Sequence, residues 1–263
     1  MRLTTLASGS GGNCAVVSAG STHILLDAGI SARRIRAGLA EQRLDIRNIS
    51  ALFITHAHND HIAGLCVLSR QCALPVFASP ETAAVLRRTV PECIPRLQEL
   101  VPGETAEIPG GVFVTPFSTM HDIPGSVGYV INDGKMRFGL CTDLGCVTDE
   151  VFEALCGVKA AVIEANHDEE MLRRGPYPYA LKQRILSDRG HLSNAVSGAL
   201  VSELARFGAE QILLGHLSRE NNRPELALET VRAMTPASLR LCAAPPLGAA
   251  TLEPGEDLCL ESN

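Results

Sequence analysis

Apolar residues recur along this chain with two periods, and the way the periods alternate predicts its architecture. Short β-type runs fall at Leu3–Ala7, Ala15–Ser18, His23–Asp27, Ala51–Thr55, Val76–Ala78, Val112–Phe117, Val127–Ile131, Arg137–Cys141, Ala160–Glu164, Gln211–Leu214 and Leu239–Ala243. Helical stretches with their own punctuation lie between them. Ser79 before Pro80 supplies a cap and a first-turn proline for a helix through Arg88. Thr148, followed by Asp149 and Glu150, opens another. From Asn194 the spacing places Val196, Leu200, Leu204 and Phe207 on one face, and Gly208 supplies a stop. The early part reads as hairpin-rich, and later strands alternate with helices. This predicts an α/β protein of four layers, αββα, in which two sheets pack together and helices cover both outer faces.

Composition narrows the setting. A chain of 263 residues suits one domain spanning 1–263. With aromatics at 4% and no Trp, its core must be aliphatic. No apolar run is long enough to span a membrane, and the segment after Arg2 does not read as a signal peptide. The nine cysteines (14, 66, 72, 93, 141, 146, 156, 242 and 259) form no CxxC pair. They read as reduced thiols of a cytoplasmic protein. The net charge of -6 does not advertise a nucleic-acid binder, but the arginines cluster. Arg33, Arg34 and Arg36, and also Arg87 and Arg88, read as solvated helix faces. Arg173, Arg174, Lys182, Arg184 and Arg189 form a denser basic segment.

Candidate chemistry begins at Thr55-His56-Ala57-His58-Asn59-Asp60-His61, directly after an apolar strand. So many ligand-type groups at this density are costly to bury without a cation. The order lets the first two histidines bind one metal while the aspartate and last histidine turn toward a second. His121, Asp143 and His216 each follow a later predicted strand. Alone, His121 reads as structural and Asp143 as an ordinary turn residue. Their recurrence at strand ends, where α/β folds concentrate their sites, gives them weight together.

The series HxHxDH, a lone His, an Asp and a final His resembles the ligand series of the metallo-β-lactamase superfamily, over nearly the whole chain. It is more closely similar to the bacterial YycJ/WalJ-type metallohydrolases. That likeness is carried by Leu6-Ala7-Ser8-Gly9-Ser10-Gly11-Gly12-Asn13, Leu26-Asp27-Ala28-Gly29, Glu164-Ala165-Asn166-His167-Asp168, the string from Ile185 to Asn194, and Gly215-His216-Leu217-Ser218-Arg219-Glu220-Asn221-Asn222. The resemblance implies the metallo-β-lactamase sandwich and a 5′-to-3′ exonuclease linked to DNA mismatch repair, with DNA ends as partner. Gly190-His191-Leu192-Ser193 and His216-Leu217-Ser218-Arg219 also resemble the C-terminal half of tRNase Z. The long inserted arm or extra domain that tRNase Z and RNase J-type enzymes use to hold RNA is missing, which counts against close equivalence to either.

The resemblance implies that His56, His58 and His121 hold a first metal, that Asp60, His61 and His216 hold a second, and that Asp143 bridges them. Two divalent ions so placed share a hydroxide that attacks phosphorus, with Asp60 orienting it. Zn is expected first, and Mn or Fe is compatible with the ligands. Asp27 reads equally as support for a ligand histidine or as a turn before Gly29. His191 reads as a proton donor to the leaving 3′-oxygen or a contact to a non-bridging phosphate oxygen, with Glu164 as its partner, against a helix-entry hydrogen-bonder. His167 reads as structural. Ser8 to Asn13 can form an anion nest or a tight turn. Arg173, Arg174 and Arg184 are candidate phosphate contacts, with Tyr177 and Tyr179 as stacking platforms. Competing with the phosphodiesterase are a small-ester hydrolase, such as a thioesterase or lactonase, and a non-catalytic adaptor. The fold alone does not fix the substrate.

Overall fold

The central strands are apolar on both sides because both sides are covered. The computed structural model describes residues 1–255 and the backbone of Cys259 and Leu260. The side chain of Cys259, counted above among the thiols, lies outside the described residues. One sheet orders β1 (Arg2–Ala7), β2 (Cys14–Ala19), β3 (Thr22–Leu26), β4 (Ile49–Phe53), β5 (Val76–Ala78) and β6 (Leu97–Glu99) side by side. The other orders β7 (Ala106–Ile108), β8 (Val112–Ser118), β9 (Val127–Asn132), β10 (Arg137–Cys141), β11 (Ala160–Glu164), β12 (Gln211–Gly215) and β13 (Arg240–Ala243). The chain then returns to the first sheet, where β14 (Ala250–Leu252) pairs with β1 and β15 (Cys259–Leu260) pairs with β14.

Side chains alternate through these strands as the twofold period requires. Ile24 and Leu26 of β3, Phe53 of β4, Tyr129 of β9 and Val162 of β11 meet in the core between the sheets. Leu25 and Leu52 point the opposite way. They pack with Ile35 and Leu39 of α1 (Ala32–Glu41), Leu65 and Leu68 of α3 (Leu65–Gln71), and Leu86 of α4 (Pro80–Thr89). The short α2 (Asn59–Ile62) precedes α3. Ala161 and Ile163 of β11 face a separate outer core. That core includes Val151 and Leu155 of α5 (Asp149–Leu155). After α6 (Glu169–Arg174) and α7 (Tyr179–Ile185), α8 (Asn194–Arg206) and α9 (Pro224–Arg232) complete it. The result is the four-layer αββα sandwich.

The predicted caps form. Ser79 Oγ accepts from Thr82 N, Thr148 Oγ1 from Val151 N and Ser193 Oγ from Val196 N. Several details differ from the sequence reading. Hairpins are not confined to the early part: each sheet starts with antiparallel strands and ends with parallel ones. Strands β6, β7, β14 and β15 carry two or three residues each, too few to show a period. The α8 face is also shifted. Leu200 and Leu204 are buried beside Ser197, Gly198 and Val201, while Val196 and Phe207 are 40% and 50% exposed. Small residues set that face because α9 packs closely: a Cβ on Gly198 would come 3.5 Å from Val231 Cα and 2.6 Å from Met234 Sδ. Among the described residues no helix is long and apolar enough to cross a membrane.

Phe53 is fully buried between the sheets, stacked on Phe77 at 4.8 Å and edge-on to Tyr129 at 5.5 Å. Phe53→Ala is expected to destabilise the chain by about 3–5 kcal/mol, because the packed neighbours cannot close the cavity. A urea titration tests this: the midpoint should fall with little change in slope.

Candidate metal centre

The centre forms where β3, β4, β8, β10, β11 and β12 end, on one rim of the sandwich. Asp27, Asp143 and His216 leave their strands with φ of 60°, 62° and 55°. Such left-handed backbone costs about 1–3 kcal/mol at a residue other than glycine, and it turns each side chain inward off its strand. The loop after β3 is laced to the HxHxDH segment. Asn13 N and Ala28 N donate to Asp60 O and His61 O, each at 2.8 Å. A Cβ on Gly29 would lie 1.6 Å from Asp60 O, so no larger residue can stand there while this lacing holds. Gly64 donates to Ala28 O, and its own Cβ would meet Ile30 O at 2.3 Å. This close approach falls at the junction between α2 and α3.

All seven residues proposed as ligands from sequence come together. Donor atoms of His56, His58 and His121 lie within 4.8 Å of one another. So do those of Asp60, His61 and His216, and those of His56, His61 and Asp143, which join the two groups. A further group links Asp143 and His216 with Glu164 and His191. Asp143 Oδ2 is 3.3 Å from His61 Nε2, and Asp143 Oδ1 is 3.4 Å from His216 Nε2. Asp60 Oδ2 lies 3.6 Å from His61 Nε2 and 3.5 Å from His216 Nε2.

The imidazoles are oriented from outside. Asp27 Oδ2 accepts from His61 Nδ1 at 2.8 Å, Glu164 Oε1 from His216 Nδ1 at 3.0 Å, and Gly190 O from His121 Nδ1 at 3.1 Å. Thr55 Oγ1 donates to Asp27 and lies 3.1 Å from His56 Nδ1. Each of these rings is thereby held with Nε2 toward the common centre. Asp143 Oδ2 and His216 Nε2 are buried there without a hydrogen-bond partner. Imidazole and carboxylate donors that converge with orphaned inward atoms fit divalent cations.

Buried charge gives the same reading. Burial, the largest influence on His61, lowers its pKa, but the Asp27 and Asp143 carboxylates outweigh it and push it up to about 10. Burial likewise opposes protonation of His216, yet the Asp143 carboxylate, with Asp60 close by and a hydrogen bond to Glu164, raises its pKa well above the usual imidazole value. Asp143 is held well below the carboxylate range: burial raises it, and His216 and His61 more than reverse that. Without cations, protons on His61 and His216 balance the buried carboxylates.

His191 sits at the rim of the centre, its side chain 19% exposed, with Nδ1 2.8 Å from Glu164 Oε1. Its ring stacks on His216 at 5.2 Å. Glu164 Oε2 accepts from Leu144 N and Leu192 N, so the carboxylate is saturated. Its pKa falls to about 2: burial raises it, while the His191 charge and hydrogen bonds from His191 and His216 lower it. His167 is buried with neither ring nitrogen partnered, and burial pushes its pKa down to about 4.

The residues proposed to bind substrate are largely occupied by the protein. Ser8 Oγ accepts from His216 N at 2.9 Å. The Asn13 side chain bonds Gly9, Asp60 and His61. Arg173 and Arg174 pair with Glu169 and Glu170 one turn back on α6. Arg184 pairs with Asp122. Sequence reasoning gave no role to Asp122, although it adjoins His121. It also missed Asn166, whose Nδ2 donates to His216 O at 2.9 Å, and Arg219, whose guanidinium lies across the loop where a Gly11 Cβ would meet it at 2.9 Å.

The four-layer fold and this donor set define a metal-dependent hydrolase. The family model described as the beta-lactamase superfamily domain matches residues 22–217, and the chain belongs to that superfamily. Within it, the chain is 36% identical over 233 residues to the exodeoxyribonuclease YycJ of Bacillus anthracis, covering 88% of each protein. It is 35% identical over 235 residues to the exodeoxyribonuclease WalJ of Streptococcus pneumoniae serotype 2, covering 88% of this chain and 86% of that one. Zinc-bound PqqB from Methylobacterium extorquens shares the fold, with a TM-score of 0.73 at 20% identity, over 96% of this chain and 100% of the other.

Metal uptake should release protons. His61 and His216 hold theirs at pH 7, since both pKa values are raised above neutrality, and a cation at Nε2 must displace them. Affinity should therefore rise with pH through the neutral range, levelling for His61 near 10. Calorimetry in buffers of different ionisation heat should report net proton release on loading at pH 7, from His61, His216 and metal-acidified water. No proton release would place the ions elsewhere.

Proposed function

We propose that this chain is a dinuclear phosphodiesterase acting as a 5′-to-3′ exonuclease on DNA ends. The carrying observation is the His191–Glu164 pair beside Asp143, at a centre whose imidazoles already have their outer partners. A leaving 3′-alkoxide is strongly basic and needs a proton, whereas a thiolate, with a pKa of about 8.5, does not. A proton donor at the rim therefore favours a phosphodiester over a thioester. The likeness to the YycJ and WalJ exodeoxyribonucleases over most of the chain supports the same reading.

In this reading His56, His58 and His121 hold one cation, Asp60, His61 and His216 hold the other, and Asp143 lies between them. Zn is the expected ion on an imidazole-rich set, with Mn or Fe compatible. When bound, the pair supplies Lewis-acid charge to the phosphate and acidifies water. The residues do the rest. Asp27, Thr55 and Glu164 hold the ligand rings. Asp60 accepts a hydrogen from the attacking water and aims it at phosphorus. Glu164 accepts from His191 Nδ1–H, leaving Nε2 to give its proton to the 3′-oxygen. Arg173 and Arg174 are exposed, and their i,i+4 pairs are weak enough to yield to phosphates. Tyr179 is exposed on the same stretch and can stack on a base. A single domain and a cytoplasmic setting belong to this proposal. The free cysteines of the described chain suit a reducing compartment.

The test is hydrolysis of end-labelled duplex and single-stranded DNA beside a small thioester and a lactone, with Zn, Mn and Fe in turn. Mononucleotides released from 5′ ends support the proposal. Turnover of the small esters with inert DNA would replace it with the small-ester hydrolase.

His191→Ala is expected to keep both metals and slow DNA cleavage by about 10²–10⁴, the range for a lost general acid. A diester with an acidic phenol as leaving group should be nearly unaffected. Loss of metal from this variant would make His191 a ligand.

A further inference from the structure

His56, His61, His121 and His216 each have a protein group on the nitrogen that faces away from the centre. His58 is arranged the other way round. Its Nδ1 lies 3.0 Å from His56 Nε2 and so points into the centre, leaving Nε2 outermost. Asp122 Oδ1 lies 3.3 Å from that Nε2 and equally 3.3 Å from Nε2 of His121, the neighbouring ring of the first metal site. Asp122 Oδ1 is itself buried and has no hydrogen-bond partner. An outward N–H and an orphaned carboxylate oxygen thus face each other. Asp122 is absent from the groups of donor atoms that converge within 4.8 Å of one another. Its other oxygen, Oδ2, is held by the Arg184 guanidinium from α7.

We propose that Asp122, held in place by Arg184, is a positioning residue for the first metal site: it fixes His58 with Nε2–H outward and a bare Nδ1 inward. The inference rests on the two-metal reading above. It moves Arg184 from the nucleic-acid contacts to the support of the cage. A ring that can carry its proton on either nitrogen presents a lone pair to the metal only part of the time, and free rotation adds to the loss. A fixed acceptor on Nε2 removes both. His58 and Asp122 are partly exposed, unlike the buried Asp27–His61 and Glu164–His216 pairs, so water competes for Nε2 unless Asp122 is itself tethered. Arg184 supplies the tether, and it reaches across 62 positions of sequence to do so. The segment proposed to meet the substrate is in this way attached to the first metal site.

The test compares wild type, Asp122→Ala, Asp122→Asn, Arg184→Ala and the double Ala variant. Each is loaded with zinc and titrated with a chelator in the absence of nucleic acid. Loss of an outer partner of a metal-bound histidine weakens metal binding about 10–100-fold. Asp122→Ala should lose one of two metal equivalents at correspondingly lower chelator activity and keep the other. Asp122→Asn retains an acceptor oxygen and should recover part of the loss. Arg184→Ala should weaken the same equivalent, and the double variant should be no worse than Asp122→Ala alone. Nitrogen NMR of metal-free protein should show His58 mainly as the Nε2–H tautomer in wild type and as a mixture in Asp122→Ala. Thermal melts of the metal-free proteins check folding, and Asp122→Asn carries the comparison if the alanine variant does not fold. Wild-type retention of both equivalents by the variants overturns the inference, as does equal weakening of both. It is also overturned if Arg184→Ala leaves metal retention intact and makes DNA binding weaker and less salt-dependent, which would return Arg184 to the phosphates. Failure of the DNA assay alone bears only on the substrate. A wild-type protein that takes up no metal overturns the two-metal reading and this one together.

Discussion

An imidazole has two nitrogens, and a cation can use only the one that carries no proton. The structure around the centre follows from that limit. Asp27, Thr55, Gly190 O and Glu164 each occupy the outer nitrogen of a different ring, so the inner nitrogens are turned together before any ion arrives. Two of these partners are buried carboxylates, which are tolerated only if positive charge is close. Protons on His61 and His216 can supply it, and so can cations. The same groups that orient the rings therefore make the empty centre proton-loaded and the filled centre favourable.

Orientation of this kind demands a rigid frame, which strand ends provide. Asp27, Asp143 and Glu164 belong to or follow strands whose both faces are packed, so their backbones have little room to move. The left-handed turns at Asp27, Asp143 and His216 are local costs borne by that packing. Gly29 and Gly64 then let the loop after β3 lie directly on the HxHxDH segment, so that Asn13, Asp60 and His61 are fixed by one set of backbone bonds. The sandwich and the centre are in this sense one construction: the core between the sheets holds the strand ends, and the strand ends hold the rings.

Much of this was legible in the sequence, for definite reasons. Strands such as Val112–Ser118, which alternates in burial, and Ala160–Glu164, a continuous apolar run buried on both faces, were readable because each carries its own apolar signal. Very short strands such as Leu97–Glu99 depend on neighbours in the sheet and carry no signal of their own. The helical face of Asn194–Arg206 was misread because close packing selects Ser197 and Gly198, which a hydrophobicity count passes over. At the centre, residue type and position after a strand were enough to bring the ligand candidates into view. The partners were less visible. Asp122 lies beside His121 in sequence, and nothing there shows that it also reaches His58, while Gly190 contributes a carbonyl that every residue possesses. The basic segment from Arg173 to Arg184 read as a phosphate surface because sequence gives charge without its pairing. Glu169, Glu170 and Asp122 occupy those guanidinium groups in the fold.

Glu164 joins the two halves of the proposed chemistry. Its Oε1 accepts from His216, a ligand candidate, and from His191, the proposed proton donor. One oxygen thus serves both rings, and whatever changes the charge on one changes the bond available to the other. A cation at His216 Nε2 would bring more positive charge than the proton it displaces, so it would not by itself hold a proton on the neighbouring ring. What Glu164 supplies is position. Its Oε2 is fixed by Leu144 N and Leu192 N, so Oε1 is held between His191 and His216. A change at Glu164 would therefore misplace a ligand ring and the ring at the rim together.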